Sequence, residues 1–112
     1  MKNNCVFCAI IDGEIPSEKV YEDDNFVLIK DINPQAKIHL VAIPKFHHPY
    51  ISETSVDEAK TIGVILHKVS QIKDTLGLEN GYRIVINQGE DAGQTVAHIH
   101  IHFLGGEKLK DL

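Results

Sequence analysis

Between residues 55 and 76 the apolar side chains recur three and four positions apart. Ala59, Ile62, Leu66, Val69 and Ile72 form a stripe, with Ile65 and Leu76 beside it. That period of 3.6 belongs to an amphipathic helix with one buried face. Ser55-Val56-Asp57-Glu58 matches a capping box at its start, and Gly77 supplies a left-handed stop. Elsewhere the apolar residues fall in short runs or alternate with polar ones. Residues 19–22 and 26–30 flank the turn Asp23-Asp24-Asn25 and read as a hairpin. Residues 37–44 hold Ile38, Leu40, Val41 and Ile43 and stop at Pro44. Residues 82–87 set Tyr82, Ile84 and Ile86 against Arg83 and Val85. The fifth run is His98-Ile99-His100-Ile101-His102-Phe103-Leu104. Residues 5–12 are mostly apolar and end at Gly13, as a short N-terminal helix would. Five strands, one long helix and one short helix predict an α+β fold. Hairpin-length connections make the five-stranded sheet antiparallel. At 112 residues the chain is expected to be one domain over residues 1–112.

The fifth run carries the candidate chemistry. On a strand, side chains two apart share a face, so His98, His100 and His102 line up on one side. Ile99, Ile101 and Phe103 then point to the other. A helix would not bring positions two apart together. Imidazole titrates near neutrality, attacks electrophiles and binds metals. His100 is central, so two groups can flank and polarise it. A neutral imidazole can attack phosphorus and split one hard displacement into two easier ones. Charge developing on oxygen needs donors, and Asn87, Gln94, Thr95 and the preceding loop's N–H groups are candidates. Gly89 and Gly93 would let that backbone approach an anion closely. His39 sits in an apolar strand, facing opposite to Ile38 and Leu40, and gains a role only if that strand lies beside the histidine row. Asp31 reads as a strand-end acid.

Charge and cysteine usage narrow the options. Eleven basic against sixteen acidic residues give a net charge of −5, against the basic stripes that nucleic-acid binding wants. No apolar run approaches the ~20 residues needed to span a bilayer. Met1-Lys2-Asn3-Asn4 leads straight into the cysteine pair, so no signal peptide and a cytoplasmic location are expected. Cys5 and Cys8 form Cys-x-x-Cys, which in a reducing compartment favours metal binding or redox exchange over a structural disulfide. No thioredoxin-like βαβ pattern surrounds the pair. Closed zinc sites take four thiolate or imidazole ligands. The cysteines offer two, and His98 with one of His47 or His48 offers the others. One structural zinc per chain is expected, tying the N-terminal segment to the sheet.

These residues resemble the histidine triad family, and within it the nucleotide-binding branch. Residues 98–104 match the signature His-φ-His-φ-His-φ-φ. The likeness continues through Phe7, Gly13-Glu14-Ile15-Pro16, Val20-Tyr21-Glu22-Asp23-Asp24, Asp31-Ile32-Asn33-Pro34-Gln35-Ala36 and His39. It runs on through Ile43-Pro44-Lys45, Asn87, Gly93-Gln94 and Gly105-Gly106. The resemblance implies a homodimer whose two sheets join into one, and binding of purine nucleoside monophosphates with hydrolysis at the α-phosphorus. It makes His100 the nucleophile, His102 a phosphate-binding histidine and His39 its neighbour in a proton relay. It sets Asn87 and Thr95 around the phosphate and leaving group. Relatives often carry serine at the Thr95 position; here the hydroxyl is kept with restricted rotamers. Asp31 matches the ribose acceptor, and Val6, Phe7, Ile10, Ile29 and Ile32 match the apolar base pocket. Some members bind zinc at positions matching Cys5, Cys8, His47 and His98, which selects His47 over His48. One departure stands out. Residues after Gly106 read Glu107-Lys108-Leu109-Lys110-Asp111-Leu112, with no Trp, where many relatives carry a longer tail toward the partner's site.

The expected activity is that of a purine nucleoside phosphoramidate hydrolase working through a nucleotidyl-histidine. A dinucleoside polyphosphate hydrolase would need room for a second nucleotide. A nucleotide-binding regulatory protein would bind without appreciable turnover. A zinc hydrolase with a metal shared by His98 and His100 would need an open coordination position, which two thiolates do not favour.

Overall fold

The computed structural model describes residues 4–112. Strands β1 (Lys19–Glu22), β2 (Phe26–Lys30), β3 (Ile38–Pro44), β4 (Tyr82–Val85) and β5 (Ile101–Gly105) form one sheet. Their order is β1-β2-β3-β5-β4, and every adjacent pair is antiparallel. The short helix α1 spans Val6–Ile11 and the long helix α2 spans Val56–Ile72. This is the α+β architecture anticipated from the hydrophobic pattern.

Alternation divides the sheet into two faces. Phe26, Leu28, Leu40, Ala42, Ile101 and Phe103 pack with Ile62, Ile65 and Val69 of α2 in the main core. On the opposite face, Val27, Ile29, Val41 and Ile43 pack under Ile10 of α1. Because β2 and β3 are covered on both faces, they read as near-continuous apolar runs. Helix α1 is only six residues long, so β5 keeps part of this second face open for polar groups.

The capping box forms as the sequence specifies. Ser55 Oγ accepts from Glu58 N–H at 3.1 Å, and the Glu58 carboxylate accepts from Ser55 N–H at 2.8 Å. That second bond is the main reason the Glu58 carboxyl lies below its ordinary range. Ser55→Ala is expected to cost about 1 kcal/mol in urea unfolding, with Ser55→Gly costing less. At its other end α2 tightens into a 3₁₀ turn over Lys73–Leu76 and stops at Gly77, whose φ is 80°.

Strand β3 starts one residue later than the pattern suggests, and two other strands fall short by two or three residues at one end. The β5 ladder begins at Ile101 rather than at residue 98. Extending the β3–β5 register beyond Ala42 and Ile101 would set Pro44 opposite Ile99. Proline has no N–H to give. Its carbonyl instead takes His98 Nε2 at 2.9 Å, and Ile99 N–H goes to the His48 carbonyl at 2.8 Å. Strand β4 ends at Val85 rather than at residue 87, because Asn87 would face His100, which lies outside the ladder.

The far end of β5 is packed closely. A Cβ on Gly106 would lie 2.5 Å from Ile38 Cγ1, and φ there is +79°. Gly106→Ala is therefore expected to destabilise the fold by about 1–3 kcal/mol, read by thermal unfolding.

Candidate active site

Strands β3 and β5 lie side by side, and with the segment that leads into β5 they put His39, His102 and His100 into one cavity. The cavity measures about 690 Å³. Its walls include every residue expected at a nucleotide: Val6, Phe7, Ile10, Ile29, Ile32, Asp31, His39, Asn87, Gln94, Thr95, His100 and His102. Ile32 is 91% exposed and stands at the rim. The ring of Phe7 meets His100 edge-on, with centroids 4.9 Å apart.

Hydrogen bonds orient the imidazoles. A carbonyl only accepts, so at 2.7 Å from the His98 oxygen His100 Nδ1 must carry the proton. The lone pair of His100 is then on Nε2. Burial pushes the His100 imidazole below its ordinary range, which favours this neutral form. His102 is held low in the same way by burial, and next by His100 and His39 beside it. His39 Nε2 lies 2.9 Å from His102 Nδ1 and 3.4 Å from Asp31 Oδ2. Asp31 Oδ1 accepts from Asn33 N–H at 2.7 Å.

A second cluster gathers where α1 begins. Cys5 caps the helix, its Sγ accepting from Cys8 N–H at 3.4 Å. Cys5 Sγ is 3.4 Å and Cys8 Sγ 3.6 Å from His98 Nδ1. His47 Nδ1 lies 3.1 Å from Cys8 Sγ and 3.1 Å from His98 Nδ1. Zinc bonds to sulfur and nitrogen imply tetrahedron edges of about 3.3–3.8 Å. At 3.1–3.6 Å these separations lie within or just below that range, and the four donor atoms could hold a metal ion. The His98 Nε2–H donated to Pro44 fixes the tautomer that aims Nδ1 into the cluster. His48 turns the other way and reaches the Glu58 carboxylate at 3.1 Å.

A sequence model described as the HIT domain matches residues 12–109. The chain belongs to the HIT domain family. Among HIT relatives it is 42% identical over 103 residues to Protein HitA of Neisseria gonorrhoeae, covering 92% of this chain and 96% of that protein. The HIT family hydrolase from Clostridium thermocellum superposes with a TM-score of 0.92 at 42% identity, covering 100% of this chain and 98% of that one. The Zn-bound histidine triad family protein from Mycobacterium smegmatis gives a TM-score of 0.80 at 37% identity, covering 90% and 73%.

Within this HIT cavity some polar groups are already committed. The Gln94 side-chain oxygen accepts from Gly89 N–H at 2.7 Å, and its nitrogen donates to the carbonyls of Pro49 and Val96. Its amide braces the loop that leads to the histidines. Thr95 is exposed and Asn87 half-buried. Ile15, Pro16, Ser17 and Val96 also line the HIT cavity, and residue-level reasoning gave them no part. Only the Gly13-to-Pro16 likeness marked that connector, without a role.

Proposed function

We propose that this HIT chain is a nucleotidyl hydrolase for purine nucleoside phosphoramidates, with His100 as nucleophile. One observation carries the reading: the buried His100 ring commits Nδ1–H to the His98 carbonyl at 2.7 Å, which leaves a lone pair on Nε2 beside the cavity.

In this reading the base enters the slot of Val6, Phe7, Ile10, Ile29 and Ile32, and the ribose hydroxyls donate to Asp31. His100 Nε2 attacks the α-phosphorus. A bond forms between Nε2 and phosphorus, and the phosphorus–nitrogen bond to the leaving amine breaks. The departing nitrogen keeps the electron pair and takes a proton from the Thr95 hydroxyl, which water reprotonates. Water then attacks the phosphorus of the nucleotidyl-histidine, the Nε2–phosphorus bond breaks with its electron pair returning to Nε2, and the water's proton passes to solvent. The products are a nucleoside monophosphate and an amine. His102 and Asn87 donate to the phosphate oxygens, where charge builds up. Gln94, its amide spent on the main chain, serves by holding the loop.

Zinc is the proposed occupant of the Cys5, Cys8, His47 and His98 cluster, one per chain, on the strength of its donor set. When bound it supplies a cross-link between α1, the segment after β3 and the histidine run. His100 stands outside that set, which favours a structural ion. A homodimer is proposed as well. Ile84 on the edge strand β4 is 44% exposed and Val64 on α2 is 51% exposed, apolar positions that a second copy would cover.

Turnover of an adenosine phosphoramidate and of a dinucleoside polyphosphate at equal concentration tests the substrate assignment. The phosphoramidate is expected to be cleaved faster. The reverse order would move the assignment to the polyphosphates, and steady-state silence on both would leave a binding protein.

A further inference from the structure

The segment between β2 and β3 does more than carry Asp31. Asn33 N–H holds Asp31 Oδ1 at 2.7 Å, and Gln35 Nε2–H holds the Asn33 carbonyl at 3.1 Å. So fastened, the segment aims one more group. The main-chain N–H of Gln35 donates to His39 Nδ1 at 3.0 Å.

A main-chain N–H only donates, so Nδ1 of His39 accepts and its neutral ring carries the proton on Nε2. Two acceptors face that side: His102 Nδ1 at 2.9 Å and Asp31 Oδ2 at 3.4 Å. The other tautomer would be wrong at both edges of the ring. It would set one N–H against another at Gln35, and a lone pair against the Asp31 carboxylate. Because His102 Nδ1 accepts from His39, the proton of His102 resides on its own Nε2. A phosphate oxygen only accepts, so Nε2–H is the form of His102 that binds one and a bare Nε2 would repel it.

We propose that the main-chain N–H of Gln35 is a positioning group for nucleotidyl transfer: it sets the proton of His39 on Nε2 and, through His39, presents His102 to substrate as a donor. The inference rests on reading this cavity as a nucleotidyl-transfer site. It also accounts for a cluster that could pass for a metal site. Asp31, His39 and His102 bring three ligand-type atoms within 4.8 Å of one another, yet the proton on His39 Nε2 keeps that nitrogen from a cation.

Nitrogen-15 spectra of the histidine-labelled, zinc-loaded full chain test the proton positions without any substrate. At about pH 8, above the ordinary imidazole range, His39 and His102 are expected as Nε2–H tautomers. His39 in the Nδ1–H form would overturn the inference. The second arm replaces the residue-35 amide by an ester through the matching α-hydroxy acid, which removes the N–H and keeps the side chain. That change is expected to lower kcat on the phosphoramidate about tenfold or more, with KM within about threefold and His39 turned into a tautomer mixture. An unchanged kcat in the folded ester would overturn it too; should the ester not fold, the spectra of the unaltered chain decide. Trapping a nucleotide on His100 judges the cavity separately. Wrong tautomers with a trapped nucleotide sink this inference alone, and correct tautomers with none sink the functional reading beneath it.

Discussion

His100→Asn is expected to abolish turnover and to leave nucleotide binding in place. The expected loss in kcat is at least about 10³-fold, roughly 4 kcal/mol of transition-state stabilisation. The size follows from the chemistry assigned to one atom. In the proposed mechanism Nε2 of His100 forms the bond to phosphorus, and an amide nitrogen has no comparable lone pair. Binding should survive because the native ring is neutral: burial holds His100 below its ordinary pKa, so an uncharged side chain replaces an uncharged one. Affinity for adenosine monophosphate, measured by titration calorimetry, should stay within about threefold, as expected when only a transition-state interaction is removed. In the native chain, a rapid quench with labelled phosphoramidate should leave the nucleotide on residue 100. Turnover near the native rate in the variant, or affinity and turnover falling together, would remove His100 from the nucleophile's place.

Removing the metal is the second large effect. Cys8→Ser, or a strong chelator, should release one zinc per chain and lower the thermal midpoint. A metal held at about a thousand times its dissociation constant adds about 4 kcal/mol to the native state. In a domain of this size that corresponds to roughly 15 °C or more. The cluster joins parts of the chain far apart in sequence: Cys5 and Cys8 at α1, His47 after β3 and His98 before β5. His98 also provides the carbonyl that orients His100, so turnover should fall on metal loss, but by less than in His100→Asn. Cobalt in place of zinc should restore the midpoint and give a rate within about twofold of the zinc protein, as a closed structural site requires. A midpoint indifferent to metal would dismiss the structural role. A rate that follows the identity of the metal would bring back a metal-centred mechanism.

What could be read along the chain was what is settled within a few residues. Helix α2 was legible because its stripe, its Ser55 cap and its Gly77 stop are all local. That His98 and His100 share a side was legible from their odd-even spacing, although both precede the β5 ladder; Phe7 meets both of them edge-on. The ends of β1 and β2 were legible from the turn between them, but the end of β4 and the start of β5 were not, since they depend on what stands opposite. Pro44 cuts the β5 ladder short only because the antiparallel register sets it across from Ile99. The part played by Gln94 was hidden for a related reason. As a free amide it suits a phosphate, but the fold spends its oxygen on Gly89 and its nitrogen on Pro49 and Val96.

The order of side chains alone thus determined the elements, their buried faces and the supply of imidazoles, thiols and carboxylates, because periodicity and capping act over a turn or two of chain. Proton positions and partners were decided by the tertiary structure. His47 and His48 are adjacent and chemically the same, and only the placement of α2 gives Glu58 to one and leaves the other facing the thiols. Which nitrogen of His39 or His100 holds hydrogen depends on a carbonyl or an N–H delivered from another part of the fold, and a hydrogen bond is made only where that delivery falls within about 3 Å.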